Sequence, residues 1–253
     1  MKIIAVVSRK GGVGKTATAH ALGAGLIKRG KKVLYVDLDS QTNLSYAVGA
    51  APGGANALDL LTGACNIIES IQHTKQGDII RGCEQLAGAD ILLTDTGKEY
   101  RLKEALTPIK GRYDYIIIDT PAALGTLTVN ALTAADLAII PVQAEIFSLQ
   151  GIGLLKETID SVKKYCNKSL KVKGILVTRY KSRATLSQDM LENLEKAAKE
   201  LKTKVFNTPV RECISIAEAQ AMKQDIFTYA PRSNGAKDYD AFIEEFLEGA
   251  KKA

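Results

Sequence analysis

The sequence lacks the residue patterns of a metal-stapled, disulfide-bonded or membrane-spanning protein. It has only two histidines, and no CxxC pair occurs among its four cysteines. The cysteines are Cys65, Cys83, Cys166 and Cys213. They are predicted to be reduced thiols of a cytosolic protein. The first apolar run, Ile3 to Val7, is too short for a signal sequence or a membrane span.

The chain also lacks internal repeats and any stretch that looks like a domain linker. Its 253 residues are 46% hydrophobic, which is enough to build one large core without disulfides. The Gly/Pro-rich stretch 50–56 is predicted to be a surface loop, so residues 1–253 are predicted to form a single domain. A formal net charge of +6 excludes an acidic scaffold and is compatible with a polyanionic partner.

Short apolar runs alternate with segments of helical period along the whole chain. The predicted strands are 3–7, 33–36, 91–94, 115–118, 137–142 and 174–178. The predicted helices are 17–29, 101–109, 126–135, 151–165, 186–201 and 238–251. This alternation predicts an α/β fold with a doubly wound, mostly parallel sheet and helices on both faces.

A glycine-rich turn between the first strand and the first helix carries the strongest signal. Its residues are Lys10, Gly11, Gly12, Val13, Gly14, Lys15, Thr16 and Ala17. Backbone N–H groups and a helix N-terminus converge there on one point, as phosphate binding requires. Lys15 is predicted to reach the β- and γ-phosphates, and the Thr16 hydroxyl to hold Mg²⁺. The common form of this loop has glycine where this chain has Arg9, and Lys10 is an additional lysine.

Gly12, Gly14 and Ala17 of the same turn also satisfy the dinucleotide-binding pattern G-x-G-x-x-A, and Asp37 follows at about the spacing of a ribose-binding acid. A dinucleotide-dependent enzyme is therefore the alternative interpretation. Lys15 and Thr16 count against it, because they have defined roles on a triphosphate with Mg²⁺ and none on a dinucleotide.

Acidic residues follow two of the predicted strands. Asp37 and Asp39 are expected to share a face by strand alternation, near the sheet edge at which ligands of doubly wound folds bind. Asp119 ends the run 115–118 and has the position of a Walker-B group. Thr16, Asp39 and Asp119 are therefore the candidate Mg²⁺ residues.

With these motifs in order, the sequence resembles the ParA/Soj family of partition ATPases, within the deviant Walker-A group that includes MinD. The similarity covers nearly the whole chain, through KGGVGKT, VLYVDLDSQTNLS, YDYIIIDTPA, ADLAIIPVQAEIFSLQGI, VRECISIAEAQ and IFTYAPRSNGAKDY. The resemblance implies a P-loop ATPase that uses ATP and Mg²⁺ and forms an ATP sandwich dimer.

The resemblance also assigns roles to residues. Lys10 matches the signature lysine that reaches the nucleotide of the partner subunit, and with Lys15 and Asp39 it makes up the predicted catalytic set. Asp39 matches the aspartate that positions the attacking water. Pro209, Val210 and Arg211 match a region that lines the adenine.

The chain starts at its first strand, so the resemblance points to the short type without a helix-turn-helix extension. Two prolines of the family are replaced here by Ser40 and Ala122, which bears on rate rather than identity. An arginine present in several short members is Ser215 here. Two sister families are disfavoured, because the acidic C-terminal segment does not suit a MinD-like membrane helix and no cysteine pair suits the cluster of the nitrogenase iron protein.

The stretch from Lys163 to Arg183 contains eight basic residues and no acid. Its composition suits a phosphate-backbone contact surface, although charge alone equally describes a solvated face. By resemblance Arg183 matches an arginine that short ParA proteins use on non-specific DNA, and Lys171, Lys173 and Arg183 are the candidate DNA contacts.

Together these expectations describe a cytoplasmic, nucleoid-associated ATPase whose dimer binds non-specific DNA and releases it on hydrolysis. A small ParB-like centromere-binding protein is the expected partner, and no membrane contact is expected. An ATP-dependent scaffold that positions another cargo remains the alternative.

Overall fold

The computed structural model describes residues 1–145, 148–181 and 186–248, and seven strands of this part of the chain form one sheet. The strands are β1 (Lys2–Val6), β2 (Val33–Asp37), β3 (Ile71–Thr74), β4 (Gly77–Ile80), β5 (Tyr115–Asp119), β6 (Leu137–Gln143) and β7 (Lys171–Thr178). Their order across the sheet is β3-β4-β2-β5-β1-β6-β7, and every neighbouring pair is parallel except β3 with β4. The predicted doubly wound, mostly parallel architecture is confirmed.

Twelve α-helices lie in the described ranges. They are α1 (Lys15–Lys28), α2 (Asn43–Val48), α3 (Ala57–Thr62), α4 (Ile67–Ser70), α5 (Ala89–Leu92), α6 (Arg101–Ala105), α7 (Thr126–Ala134), α8 (Ser148–Tyr165), α9 (Leu186–Glu200), α10 (Ile214–Ala221), α11 (Ile226–Tyr229) and α12 (Asn234–Glu248). None of these described helices is long and apolar enough to cross a bilayer.

The sheet separates two hydrophobic cores. Alternate residues of β1 enter opposite cores, with Ile3 and Ala5 on one side and Ile4 and Val6 on the other. The first core includes side chains of α3, α6, α7 and α8, and the second includes those of α1, α2 and α12. Because both faces are covered, the central strands are apolar throughout rather than alternating.

The predicted strand at 91–94 is wrong. Residues 89–92 form the one-turn helix α5, in which Ile91 is 81% exposed and Leu92 is 55% exposed. Leu93 of this run is buried in the first core, but Ile91 and Leu92 lie at the surface and the run joins no sheet. The neighbouring Asp90 fixes this turn, because its Oδ1 accepts a hydrogen bond from the Thr126 N–H at the start of α7, at 2.7 Å.

The hairpin of β3 and β4 was not predicted, because neither strand shows a clear apolar run. It adds β4 in parallel beside β2 and leaves β3 as an antiparallel edge. Gly77, at φ 115°, makes the tight turn possible. The predicted C-terminal helix is present from Asn234 to Glu248, and its expected last residues lie outside the described part.

The contact between α1 and β2 leads to a stability prediction. An added Cβ on Gly23 would lie 2.2 Å from the ring of Tyr35, whereas one on Gly153 of α8 would meet nothing within 4 Å. We expect Gly23→Ala to lower the free energy of unfolding by about 1–3 kcal/mol through overpacking. The control Gly153→Ala should raise it by about 0.5–1 kcal/mol, because alanine favours the helix. Urea unfolding of both variants checks this, and equal effects would contradict it.

Candidate active site

The glycine-rich turn joins β1 to α1, and hydrogen bonds from β6 and β7 fix its backbone. Gly12 and Gly14 have φ of 73° and 81°, a left-handed conformation that favours glycine. Thr178 of β7 donates a hydrogen bond from Oγ1 to the Val13 carbonyl at 2.7 Å, and Gln143 of β6 donates one to the Gly12 carbonyl at 3.2 Å. With these carbonyls bound to the body, the first N–H groups of α1 remain available to a ligand.

Lys15 is the cation at the base of this turn. Only 7% of it is exposed, and its Nζ donates to the Lys10 carbonyl at 3.3 Å. Burial lowers the pKa of Lys15, while the nearby Asp119 and Asp39 act to raise it. These carboxylates favour the charged form, which would in turn attract phosphate oxygens.

Two carboxylates lie side by side at the end of the sheet, since Asp37 of β2 pairs in register with Asp119 of β5. The Thr16 hydroxyl donates to Asp119 Oδ2 at 2.6 Å. The other oxygen, Asp119 Oδ1, is buried and has no hydrogen-bond partner. Burial and the negative charge of Asp37 raise the pKa of Asp119 well above its ordinary value.

These residues fit Mg²⁺. An unpartnered carboxylate oxygen beside a threonine hydroxyl matches the donor set of a magnesium site that is completed by waters and substrate phosphates. In the described part of the chain, no group of three His, Cys, Asp or Glu side chains could hold a metal by itself. Water and nucleotide oxygens would supply the remaining ligands of a bound Mg²⁺.

Asp37 and Asp39 have different environments. Strand β2 ends at Asp37, so the expected alternation does not continue to Asp39. Asp37 is fully buried, and burial raises its pKa to about 6. Asp39 instead lines an open cavity with Lys15 and Thr16. Of the two, only Asp39 is placed to meet a ligand.

Ser45 and Gly82 belong to this site and were missed by the sequence analysis. Ser45 donates to Asp37 Oδ2 from both its N–H, at 2.8 Å, and its hydroxyl, at 2.7 Å. The Gly82 N–H donates to the Ser45 hydroxyl at 2.9 Å, and a Cβ on Gly82 would lie 3.0 Å from the Asp39 carbonyl. Asp37 also accepts a hydrogen bond from the Asp39 N–H, at 3.1 Å. This network fixes the backbone that carries Asp39.

Two adjoining cavities form one cleft over the glycine-rich turn. The phosphate-side cavity, of about 700 Å³, is lined by Lys15, Thr16, Asp39 and the turn. The base-side cavity, of about 540 Å³, is lined by Val210, Arg211 and Tyr239 among others. Gly12, Gly14, Ala17 and Gln220 line both cavities. The cleft thus suits a ligand with a phosphate chain at one end and an apolar ring at the other.

The base side is held in place by backbone pairing and ion pairs. Tyr180 donates its N–H to the Val210 carbonyl at 3.0 Å, which ties this segment to the end of β7. Arg211 donates to both carboxylate oxygens of Asp238, at 2.8 and 2.6 Å. The third predicted residue of this region, Pro209, is not among the residues that line the cavity.

Lys10 lies on the outer side of the turn. Its ammonium pairs with Glu145, and the two side chains are 35% and 53% exposed. The Lys10 side chain is not part of the cleft lining, which contains Lys15 instead.

The basic stretch is divided between the two ends of β7. Lys171 is exposed at the start of the strand, far from the cleft, and Lys173 lies half-buried with its Nζ 5.4 Å from the centre of the Phe246 ring. Burial and the nearby Lys204 lower the pKa of Lys173. At the other end Arg179 and Lys181 both pair with Glu212. Arg183 lies outside the described residues.

Comparison with known proteins supports a nucleotide site. A family model described as an AAA domain matches residues 1–172. The chain is 41% identical over 243 residues to the sporulation initiation inhibitor protein Soj of Bacillus subtilis, covering 94% of this chain and 95% of that protein. It is 36% identical over 249 residues to the chromosome-partitioning ATPase Soj of Treponema pallidum, covering 97% of each.

A solved structure of a similar protein also contains a nucleotide. Cobyrinic acid a,c-diamide synthase from Mycobacterium smegmatis, with a bound ATP analogue and magnesium, superposes with a TM-score of 0.85 at 33% identity. The match covers 99% of this chain and 96% of that one.

The Ser45 network leads to a prediction about the site. Ser45→Ala removes the hydroxyl that Asp37 and Gly82 share, so it should cost about 1–3 kcal/mol of unfolding free energy. Ser45→Thr, which keeps a hydroxyl, is the control. Because the cleft itself is untouched, ATP binding should persist while turnover falls. Nucleotide titration and a phosphate-release assay separate these effects, and unchanged turnover would show that the network does not position Asp39.

Proposed function

The chain belongs to the ParA/Soj family of partition ATPases and hydrolyses ATP with Mg²⁺, and we propose that its ATP-bound form is a sandwich dimer that binds non-specific DNA and leaves it after hydrolysis. The observation that carries this proposal is the cleft, in which Lys15, Thr16 and Asp39 line one cavity and Asp119 binds the Thr16 hydroxyl.

The hydrolytic roles follow from the positions of these groups. The N–H groups of the turn and Lys15 bind the phosphates and neutralise charge as the terminal phosphate departs. Asp39 borders the same cavity and would orient the attacking water. A bound Mg²⁺ would be held by Thr16, Asp39 and Asp119. It would supply further charge neutralisation. Phosphoryl transfer needs mainly positioning, so these few residues suffice.

The position of Lys10 supports assembly through the cleft. Lys15 already supplies the cation inside its own cleft, and the Lys10 ammonium points outward to Glu145. A second subunit that docks over the cleft would offer Lys10 a phosphate oxygen in exchange for this exposed carboxylate. A charge-assisted bond to phosphate inside a closed interface is the stronger of the two contacts.

The biological role proposed for this switch is the segregation of a plasmid, a chromosome or another genetic element. DNA binding is supported by the net charge of +6 and by the exposed Lys171. The candidates Lys173 and Arg183 remain predictions. We further propose a nucleoid location in the cytoplasm, a small ParB-like partner that stimulates hydrolysis, and no membrane contact.

Assembly is tested at Lys10. Lys10→Ala should abolish ATP-induced dimerisation and hydrolysis, yet the monomer should still bind ATP through Lys15 and the turn. Light scattering with and without ATP measures the dimer. The matched control is Glu145→Gln, which removes the present partner of Lys10 and should dimerise at the same or a lower ATP concentration. A Lys10→Ala protein that dimerises with normal turnover would refute the role.

Release is tested at Asp39. Asp39→Ala should keep ATP binding but lose roughly two orders of magnitude or more in turnover, because the water-positioning group is gone. With ATP it should therefore stay on random-sequence duplex for far longer than the wild type. Dissociation from immobilised DNA gives the readout, and the control is Glu157→Ala, which removes an exposed acid of α8 that lines neither cavity. Wild type that ignores duplex at low salt, or equal residence times, would contradict the switch.

A further inference from the structure

The amino ends of the parallel strands form a basic edge on the side of the sheet opposite the cleft. This basic edge consists of Lys2, Lys31, Lys32, Lys110, Arg112, Lys168 and Lys171, all of them exposed. Apart from Lys168 and Lys171, which lie in the basic stretch from Lys163 to Arg183, none of these residues was singled out by the sequence analysis. They come from four separate segments of the chain, so only the fold brings them together.

Backbone hydrogen bonds show that these segments lie side by side. The Lys2 N–H donates to the Asp114 carbonyl and the Asp114 N–H to the Lys32 carbonyl, each at 2.8 Å. At the other side of β1, the Lys171 N–H donates to the Asp136 carbonyl at 3.1 Å. From β2 to β7 there are four strand spacings, so the row extends over roughly 19 Å.

The charges of the basic edge are not neutralised locally. In the part of the chain that the structure describes, none of its seven side chains has a carboxylate within 4.0 Å. Two acids lie among them, Asp114 and Asp136, and each accepts a hydrogen bond from the backbone, from Lys32 N–H and Ile3 N–H. The C-terminal ends of α1, α7 and α8 add about −0.5 charge each. A surplus of roughly three to four positive charges remains.

We propose that the basic edge is a contact surface for the phosphates of duplex DNA, separate from the cleft. This inference rests on the proposed function, whose DNA contact it locates. A row of roughly 19 Å matches about five to six base pairs of duplex. A lipid surface fits less well, because a membrane-binding face needs an apolar row, and the exposed large apolar side chains beside this edge are Met1 and Tyr165 alone among those described.

The position of the edge has a geometric consequence. Two subunits that meet through their clefts turn the carboxyl ends of their strands toward each other. Their amino ends then face away from each other, on opposite outer surfaces of the dimer. Each ATP-bound dimer would present two duplex contacts that point in opposite directions, and it would join two duplex segments rather than lie along one.

The test compares two double variants with equal charge change. Lys31→Glu with Lys110→Glu alters the basic edge, whereas Lys196→Glu with Lys237→Glu alters exposed cations of α9 and α12 that line neither cavity. Affinity for a random-sequence duplex is measured with ATP over a salt series. The edge variant should bind all sequences more weakly, and its log–log salt slope should be smaller by about 1.8, from two lost phosphate contacts.

A second readout tests the two-sided geometry. A bead-bound duplex should capture a labelled second duplex in the presence of wild type and ATP, and equally with the α9/α12 control, but not with the edge variant. Hydrolysis without DNA should be the same for all three proteins. A milder pair, Lys31→Gln with Lys110→Gln, keeps the test valid if charge reversal impairs folding, and it should show an intermediate salt slope.

The outcomes separate this inference from the proposed function. Wild type that binds no duplex at low salt overturns both. Wild type that binds, while the edge variant matches it in affinity and salt slope, overturns only the basic edge. Anionic vesicles bound as tightly as duplex, with the same sensitivity to the edge substitutions, would assign the surface to lipid and also overturn the inference.

Discussion

The parallel pairing of β1 and β2 on either side of β5 is the constraint on which the site depends. Register places Val6 beside Asp119 and Asp37 beside the same residue, so the glycine-rich turn and both acids emerge at one edge. Parallel strands need crossover helices, and those helices bury both faces of the sheet. The apolar strands, the cleft at one edge and the cations at the other edge therefore follow from one pairing scheme.

The predictable part of the structure is the part whose signals are local. The strands β1, β2 and β5 are apolar runs with charged or turn residues at their ends. The glycine-rich turn was predictable because phosphate binding by backbone N–H groups requires glycines such as Gly12 and Gly14. The helix at Ile91 could not be told from a strand, because a short apolar run does not reveal whether it is buried. The hairpin at β3 has too few apolar residues to show a period.

The site itself was predictable only for residues that would touch the ligand. Ser45 and Gly82 act through Asp37, and their contact joins segments separated by 37 positions in the chain, which no local pattern encodes. Lys173 stays a prediction as a DNA contact, and its packing against Phe246 is a feature of the fold that its charge in the sequence did not indicate. The two replaced prolines, at Ser40 and Ala122, both line the phosphate side of the cleft. Their influence is therefore expected on turnover, as the resemblance implied.

The pairing of Lys10 with Glu145 has a consequence for how the cell could use this protein. An exposed ion pair contributes little to stability, so its loss places almost no barrier before assembly. In the proposed assembly, the amount of dimer would then be governed by how many subunits carry ATP, and it would rise with the square of their concentration. A region where loaded subunits accumulate would form dimers out of proportion to their number, and a depleted region would form few. A concentration gradient of monomers would thereby be sharpened into a steeper gradient of dimers.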